Sequence, residues 1–511
     1  MELLVIGLDG LSYNMLDRFD VDPDFLGRIR SKGVSGHLMS VDTPTTIPAW
    51  TSFATGKDPG SHGISNMTRQ SPDYEIGPSR PNRTDAAAYD LLNEALFVNL
   101  PASNGRIPQG DDSYLVSGML SKNKYEATPD DLQELDSFDD YILDHDASLK
   151  ARPKKYLDHV LEITNVRYQF GREAFVTFEP RVGFLLFSTP DWAGHILSNL
   201  GSEAKRREFY KRLVREVDER ARDLADLSDN IVLMSDHGFE YKHTNIHVSE
   251  WLAEQNLFTE SSQETSAARI AVDIAKAVAK RSNRLYKMIR RVHNHIMGTK
   301  VGSSLHDAAS PNVDYRNSMA WELRYGCIYV NDDRFESPQV EDPEQLKMRI
   351  QKELSSLTGP EGDPIFRDVL FPGEAYEDPG PDAPDLIARP APHHFPTTLW
   401  SPKDEVTSPT ENYEHRYRGV FLAQGPLFDG GQVENMKIID VLPTILTALN
   451  EPLSPEFDGE SRNEILARAD EPTFMDPSEV PDSKTKEDLG TDQNERDDLV
   501  TDRLADLGYI E

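Results

Sequence analysis

Three apolar runs that each lead into an acidic side chain constrain the fold of this 511-residue chain most strongly. The runs cover residues 3–8, 182–187 and 231–234, and they lead into Asp9, Asp191 and Asp236 respectively. Continuous apolar runs are typical of strands buried on both faces of a parallel sheet. A charged stretch with helical spacing, 203–227, separates the last two runs. The sequence therefore predicts an α/β fold with functional groups at the carboxyl ends of parallel strands.

The charge balance excludes one class of partner. The chain carries 54 basic and 88 acidic side chains, so its formal net charge is 54 − 88 = −34. Because a phosphate backbone needs a cationic surface, we expect no nucleic-acid polymer to bind. The acidic excess suits a surface that stays hydrated in a salt-rich cytosol, and the alternative is ordinary acidic solubility with a disordered tail.

The cysteine content restricts the kind of metal site. Cys327 is the only cysteine, which excludes an intrachain disulfide, a cysteine-rich zinc site and an iron–sulfur cluster. Any bound metal must therefore be held by oxygen and imidazole ligands.

The distribution of apolar residues predicts a soluble, cytoplasmic protein. No basic region precedes the first apolar run, and no later run reaches the roughly 18 apolar residues of a membrane span. The oligomeric state is left open. We expect a catalytic core at 1–244 and 311–470, a helical basic insertion at 245–310, a peripheral subdomain at 336–398, and an acidic, largely mobile tail with a short terminal helix at 471–511.

The insertion is unusual because it is basic in an acidic chain. Residues 269–300 hold nine Lys or Arg and one acid, Asp273. Such a stretch is suited to an anionic substrate or to peripheral contact with an anionic membrane. The alternative is a solvated helix face packed against acidic neighbours.

Oxygen and imidazole ligands recur beside predicted turns. The sites are Asp9-Gly10, Asp191 to His195, Asp236-His237, and His415. Each of them is a weak signal, because an Asp–His pair is common in loops. Together they supply three carboxylates and three imidazoles, a donor set that Zn²⁺ accepts.

A threonine-rich segment adds a candidate nucleophile. Thr46 precedes Ile-Pro at a predicted helix start, and Pro48 is suited to a first helical turn. Unpaired N–H groups at such a start attract phosphate. A threonine hydroxyl is a poor nucleophile unless a base or a metal activates it. A metal held by Asp9, Asp236 and His237 would do so.

These residues resemble the alkaline phosphatase superfamily, specifically its type I phosphodiesterase/nucleotide pyrophosphatase branch. The similarity runs from Val5 to about Gly459, and the spacing from Thr46-Ile-Pro through Thr55-Gly to His62-Gly-Ile is its most specific part. It implies a three-layer α/β/α core with a mostly parallel central sheet.

The resemblance also implies a site with two divalent metal ions, zinc first and manganese as an alternative. One ion would be bound by Asp9, Thr46, Asp236 and His237, and the other by Asp191, His195 and His415. The first metal would make Thr46 an alkoxide that attacks phosphorus and becomes phosphorylated, and the second would hold the leaving oxygen.

Some residues of the nucleophile segment keep two interpretations. Relatives place an asparagine after His-Gly-Ile to donate to a phosphate oxygen, and Asn66 is the candidate, one position earlier than expected. The alternative for Asn66 is a turn residue. Thr45 competes with Thr46 as the nucleophile, but the Thr-x-Pro register favours Thr46. We expect His62 to close its loop by hydrogen bonding.

The leading functional hypothesis is a metal-dependent hydrolase of phosphoric esters, foremost a phosphodiesterase, acting through a phosphothreonine. Its substrate would be a small molecule or a lipid- or glycan-linked phosphate ester. Phosphomonoesterase, phosphonate hydrolase, phospho-headgroup transferase and a membrane- or partner-docking role remain alternatives. A sulfatase would need Cys or Ser at position 46, and a phosphoglycerate mutase would need a large cap after it, so both are disfavoured.

Overall fold

The computed structural model describes residues 1–79, 85–103, 105–119, 121, 124–260, 313–397, 405–468 and 471–485. The basic stretch predicted at 269–300 and the helix predicted near the end of the tail lie outside the described residues. No helix within the described ranges has both the length and the apolarity to cross a membrane.

Strands are named here in chain order. They are β1 (Leu3–Leu8), β2 (Val34–Met39), β3 (Thr68–Gln70), β4 (Ile76–Pro78), β5 (Ala95–Leu100), β6 (Arg106–Ile107), β7 (Tyr114–Ser117), β8 (Ala127–Thr128), β9 (Val182–Phe187), β10 (Asn230–Met234), β11 (Gly238–Tyr241), β12 (Thr244–Ile246), β13 (Ala320–Glu322), β14 (Cys327–Val330), β15 (Phe366–Leu370), β16 (Leu386–Pro390), β17 (His394–Pro396), β18 (Thr407–Pro409), β19 (Tyr413–Arg416), β20 (Arg418–Gln424), β21 (Gly431–Lys437) and β22 (Lys484–Thr485).

Helices are named in the same way. They are α1 (Tyr13–Phe19), α2 (Asp24–Lys32), α3 (Thr46–Thr55), α4 (Pro59–His62), α5 (Ala88–Leu91), α6 (Pro153–Phe178), α7 (Thr189–Gly194), α8 (Glu203–Ala225), α9 (Val248–Glu254), α10 (Pro343–Ser355), α11 (Pro372–Ala375) and α12 (Val441–Ala448).

A nine-stranded sheet forms the centre of the molecule, in the order β21-β2-β20-β10-β1-β9-β5-β7-β8. The middle of the sheet is parallel: β1 pairs with both β10 and β9, with Leu3 opposite Asn230 on one side and Val182 on the other. The three predicted strands are therefore confirmed as neighbours. Since parallel neighbours end at the same edge, the acidic residues that follow them meet there.

Helices cover both faces of this sheet, which confirms the three-layer α/β/α architecture. Along β1, Leu4 and Ile6 face a cluster formed with α1, α2, α6 and α8, whereas Leu3 and Val5 face a cluster formed with α3 and α12. All residues of β1 are buried. Each such aliphatic side chain contributes about 1.5–3 kcal/mol to the free energy of folding when it is fully buried. The strands that carry the site are therefore held firmly by the core.

A proline shapes the beginning of α12. The apolar run from Ile438 predicts a helix whose first turn is altered by Pro443. The run begins with a 3-10 turn over Ile438–Asp440, and the α-helix begins at Val441, with the proline in its first turn. The prediction is confirmed.

A second, four-stranded sheet has the order β13-β14-β16-β15. It has its own apolar core, which includes Trp321, Ile328 and Ile350, and α9 and α10 contribute to that core. The sheet begins at Ala320, upstream of the boundary predicted at residue 336. The apolar run at 327–330 therefore belongs to this second sheet, although it was assigned by sequence to the catalytic core.

Candidate active site

The first group of candidate metal ligands lies at the ends of β1 and β10. Asp9 follows β1 directly, and Asp236 and His237 follow β10 after one serine. The His237 Nε2 atom lies 3.5 Å from Asp9 Oδ1 and 3.4 Å from Asp236 Oδ2. All three side chains are buried. The strand pairing thus brings together residues that are far apart in the chain.

Thr46 lies beside this first group, at the first residue of α3. Thr45 is the N-cap in an extended conformation, and Pro48 occupies the first turn, as predicted. The Thr46 Oγ1 atom lies 3.5 Å from His237 Nε2. The hydroxyl is therefore next to the three ligands and near the N–H groups of a helix start.

The second group combines α7 with β19. Asp191 and His195 lie one helical turn apart, and the His195 Nε2 atom is 3.4 Å from Asp191 Oδ1. His415 reaches them from β19, with its Nε2 atom 3.1 Å from Asp191 Oδ1 and 3.1 Å from His195 Nε2. The His237 Nε2 atom lies 4.0 Å from Asp191 Oδ1, so the two groups are adjacent.

Backbone carbonyls fix the tautomers of two imidazoles. The Nδ1 atom of His415 lies 2.9 Å from the carbonyl of Pro44, and that of His237 lies 3.2 Å from the carbonyl of Gly238. A carbonyl only accepts, so each Nδ1 carries the proton and each Nε2 presents its lone pair to the ligand group.

A short antiparallel ribbon of β11 and β19 holds the imidazoles in place. In its register Phe239 lies opposite His415, and the Phe239 ring is 5.0 Å from the rings of both His195 and His415. The same ring leaves no space at Gly10, where an added Cβ would lie 2.9 Å from it and φ is +69°. Glycine at position 10 therefore allows the ribbon to approach the end of β1.

Buried carboxylates dominate the electrostatics of the first group. Burial, followed by the charges of Asp236 and Asp191, raises the pKa of Asp9 well above its ordinary value. Burial raises the pKa of Asp236 to about 8. In the second group, burial opposes ionisation of Asp191, but its interactions with His195 and His415 outweigh burial and hold the pKa of that carboxyl well below its ordinary value.

Two observations indicate that divalent cations fit these groups. Asp9 Oδ1 and Asp236 Oδ2 are buried without a hydrogen-bond partner among the described residues, so an acceptor on each carboxylate is left for another ligand. Each triad also has its donor atoms within 4.8 Å of one another. In a tetrahedral site with bonds of about 2.0–2.1 Å, ligand atoms lie roughly 3.3–3.4 Å apart, close to the separations given above.

The structure thus brings together Thr46 and all six predicted metal ligands, but Asn66 is engaged elsewhere. The Asn66 amide donates to the carbonyl of Arg324 at 3.3 Å, and its oxygen accepts from the N–H of Met67 at 2.8 Å. These backbone contacts favour the turn interpretation. His62 closes its loop as expected, since its Nε2 lies 2.8 Å from Ser52 Oγ and its Nδ1 accepts from Ile64.

Sequence reasoning missed several residues near the site. A pocket beside Thr46 is also lined by Asn99, Asp144 and Arg167. Asn99 has a positive φ of 64° at the end of β5, a conformation that residue type alone does not reveal. Arg167 is buried on α6 and donates to Ser188 Oγ at 3.0 Å. Its helical position gave no signal, because a basic residue on a helix is usually exposed.

Glu414 and Tyr325 were also missed. The Glu414 Oε2 atom lies 3.8 Å from Nδ1 of His195, on the side away from the ligand atoms. The ring of Tyr325 lies nearly parallel to that of His415, with centroids 6.3 Å apart and planes 11° apart. Glu414 precedes the predicted ligand His415 and could have been noticed. Tyr325 belongs to a turn of the second sheet, so its position near His415 has no signal in the local sequence.

Solved structures with this fold include enzymes of phosphorus chemistry. Human ectonucleotide pyrophosphatase/phosphodiesterase 5 matches at 13% identity and a TM-score of 0.51, covering 92% of this chain and 100% of that one. An inactive variant of the murine protein in complex with AMP matches at 13% and 0.51, covering 91% and 100%. Phosphonoacetate hydrolase from Sinorhizobium meliloti, in complex with phosphonoformate, matches at 16% and 0.54, covering 88% and 95%.

The family assignment rests on sequence. No curated protein matches the chain. The sequence profile of the type I phosphodiesterase/nucleotide pyrophosphatase family matches residues 3–419, a span that contains Thr46 and every predicted metal ligand. The chain belongs to this family of hydrolases that act on phosphoric ester bonds.

Proposed function

We propose that this protein is a metal-dependent phosphodiesterase in which Thr46 is the nucleophile. The position of the Thr46 hydroxyl carries the proposal, because Oγ1 lies 3.5 Å from His237 Nε2 at the start of α3. The two ligand groups are adjacent, since His237 Nε2 and Asp191 Oδ1 lie 4.0 Å apart, and this adjacency supports a pair of neighbouring cations.

Asp9, Asp236, His237 and Thr46 would hold one cation, and Asp191, His195 and His415 the other. A nitrogen and oxygen donor set without thiolate suits Zn²⁺, with Mn²⁺ as an alternative. Two divalent cations supply charge stabilisation for the attacking and leaving oxygens of an in-line displacement.

The residues of the chain organise that displacement. The Thr46 hydroxyl gives up its proton and its Oγ forms a bond to phosphorus while the bond from phosphorus to the leaving oxygen breaks. The leaving oxygen takes up a proton and departs as an alcohol, which leaves a phosphothreonine diester. Water then forms a bond to the same phosphorus as the bond to Thr46 Oγ breaks, and the hydroxyl takes a proton back. The N–H groups at the start of α3 stabilise the negative charge on the phosphoryl oxygens.

Exclusion of water from the nucleophile supports this role. Thr46 is 4% exposed, and Asp9, Asp236 and His237 beside it are buried as well. In such a site charge interactions are stronger than in water. The small ligands of the fold relatives, AMP and phosphonoformate, support a small phosphate or phosphonate compound as the substrate class.

The test is turnover of bis-p-nitrophenyl phosphate, the corresponding monoester and the sulfate ester with Zn²⁺, Mn²⁺ or Mg²⁺. We expect the diester to be the best substrate and chelation to abolish turnover. The substitution Thr46→Ala should lower turnover by at least about 1,000-fold, because the protein loses its covalent route, while metal content stays near that of the wild type.

The matched control is Thr51→Ala on the same helix, whose hydroxyl donates to the carbonyl of Ile47 at 2.8 Å. This variant should retain turnover. Mass spectrometry of acid-quenched enzyme should find a phosphodiester adduct on the peptide that contains Thr46. Full turnover by Thr46→Ala, or an adduct on another residue, would refute the assignment of the nucleophile.

A further inference from the structure

A tight turn of the second sheet lies against the second ligand group. The strands β13 and β14 are connected through Leu323, Arg324, Tyr325 and Gly326. The N–H of Cys327 donates to the carbonyl of Arg324 at 3.0 Å, and φ is +53° at Tyr325 and +80° at Gly326. Two central residues with positive φ define a type I′ turn, in which asparagine, aspartate or glycine is preferred at the first of them.

Tyrosine at this position is therefore conformationally unfavourable. Bulky residues seldom adopt a positive φ, and such outliers concentrate at functional sites. Glycine is required at position 326, because a Cβ there would lie 2.3 Å from the carbonyl oxygen of Ala388. The backbone of this turn does not require a tyrosine at position 325. The reason for this residue type must therefore lie in its side chain.

The Tyr325 ring lies beside one member of the second ligand group, His415. It lies nearly parallel to His415, with centroids 6.3 Å apart, and its edge packs against Phe395 at 5.8 Å. Burial, with smaller contributions from the charges of Glu414 and Asp191, raises the pKa of its phenol, so the ring is neutral. Taken as a whole residue, Tyr325 is only partly buried.

The turn is fixed from both sides. Glu322 Oε1 accepts from the N–H of Gly326 at 2.8 Å within the second sheet. From the catalytic core, the Asn66 amide donates to the carbonyl of Arg324 at 3.3 Å. Asn66 belongs to the segment that follows the nucleophile helix, so this bond ties the turn to the part of the chain that carries Thr46.

The adjacent ligand group is the open side of the site. The His195 side chain is 25% exposed, whereas the ligands of the first group are almost fully buried. In the proposed function, the second group faces the leaving oxygen. The partly exposed His195 therefore marks a side on which a leaving group would depart, and Tyr325 lies beside His415 of the same group.

We propose that Tyr325 is a specificity-determining residue that stacks on the leaving group and favours phosphodiesters with a planar aryl or heteroaryl leaving group. The proposal rests on the proposed function for the direction in which the leaving group departs. An aromatic ring held rigidly beside His415, on a residue that is only partly buried, is the observation that carries it.

The kinetic test uses the full chain loaded with its preferred metal and two methyl phosphodiesters. One has a phenol as its leaving group, and the other a fluorinated alcohol of the same acidity. We expect Tyr325→Ala to lower kcat/KM for the aryl ester by roughly three- to tenfold and for the alkyl ester by less than twofold. Tyr325→Phe should keep the wild-type ratio, and so should the control Tyr125→Ala, which removes an exposed ring on the surface.

A binding experiment separates this inference from the proposed function. Calorimetry should find that the metal-loaded wild type binds phenylphosphonate more tightly than butylphosphonate, and that Tyr325→Ala, or Tyr325→Leu if the alanine variant does not fold, removes the preference. If Tyr325→Ala removes the preference for phenylphosphonate and the wild type has no turnover, the result would support the role of Tyr325 in binding and reject the proposed hydrolase function. Equal losses for both ligands and both esters, or no change, would overturn the role of Tyr325 while leaving the hydrolase intact.

Discussion

The two ligand groups present the same kinds of atoms and differ at one side chain in their exposure, because Asp191 and His415 are buried like the first group and His195 is not. Asp9, Asp236 and His237 extend from the ends of central strands and are at most 2% exposed. In the other group, His195 is 25% exposed, and His415 belongs to a two-stranded ribbon outside the central sheet. Thr46, the proposed nucleophile, thus lies beside the more deeply buried group, and the second group reaches the solvent through His195.

This difference indicates a division of labour. A buried group tolerates little change, because its carboxylates have no water to replace a lost ligand. A partly exposed group can exchange water and accommodate leaving groups of different shape. We therefore expect the effects of substitutions to decrease in order. They should be largest in the first group, smaller in the second group, and smallest at the residues that support the second group.

The largest effect is expected for Asp236→Asn. Removing this carboxylate ligand should release the metal of the first group and lower diesterase activity by at least about 1,000-fold, since several kcal/mol of transition-state stabilisation are lost. Metal analysis should find about one ion fewer per chain. Asp229→Asn, an exposed residue just before β10, is the control. Retention of both ions by Asp236→Asn would contradict the assigned role.

His195→Ala should have a smaller effect. A water molecule can take the place of an imidazole that is already 25% exposed. We expect activity to fall by about 100-fold and to recover partly with excess metal or added imidazole. His243→Ala, an exposed histidine, controls for general effects. If His195→Ala were as damaging as Asp236→Asn and could not be rescued, the contrast between the two groups would be wrong.

Glu414→Gln tests the support behind the open group. The carboxylate lies 3.8 Å from His195 Nδ1, longer than a hydrogen bond, so it orients the imidazole mainly through charge. We expect about tenfold weaker metal binding at the second group, the lower end for outer-shell partners. A metal titration with chelator competition measures this, with Glu434→Gln as an exposed control. Unchanged affinity would remove Glu414 from the site.

The smallest effect concerns Glu322, beneath the turn that carries Tyr325. Burial raises its pKa from 4.5 to about 8. Between these values the folded chain keeps a proton that the unfolded chain releases, so the free energy of unfolding falls as pH rises through this window. Glu322→Gln should remove that loss and raise the Tm at pH 8 by roughly 2 °C, with no gain near pH 4.

Thermal unfolding of the apoprotein across this pH range is the measurement. Glu361→Gln, at an exposed position, should leave the pH dependence of the Tm unchanged. An identical pH dependence in Glu322→Gln and the wild type would show that this carboxyl is not neutral in the folded chain.

Local patterns were sufficient to predict the first group. The apolar runs before Asp9 and Asp236 could only be buried parallel strands, and parallel pairing then fixed where those side chains meet. The helix start at Thr46 followed from Pro48 in the same way. At these positions the local sequence preferences agree with the tertiary structure. For that reason the sequence was sufficient to predict where these side chains lie.

Features that depend on contacts between sheets could not be predicted. The role of Asn66 stayed open because its partner, the carbonyl of Arg324, belongs to the second sheet. The boundary at residue 336 came from composition, whereas the sheet begins at Ala320 because its apolar core needs β13 and β14. The approach of Tyr325 to His415 likewise depends on how the two sheets are placed.

The ribbon of β11 and β19 has a consequence for how this enzyme can diversify. His237 immediately precedes one strand and His415 lies on the other, so their relative position depends on local register and not on the length of chain between them. The whole second sheet is inserted within that interval. Evolution or protein engineering can therefore exchange or resize this module, together with its selectivity, while the reaction centre is inherited unchanged.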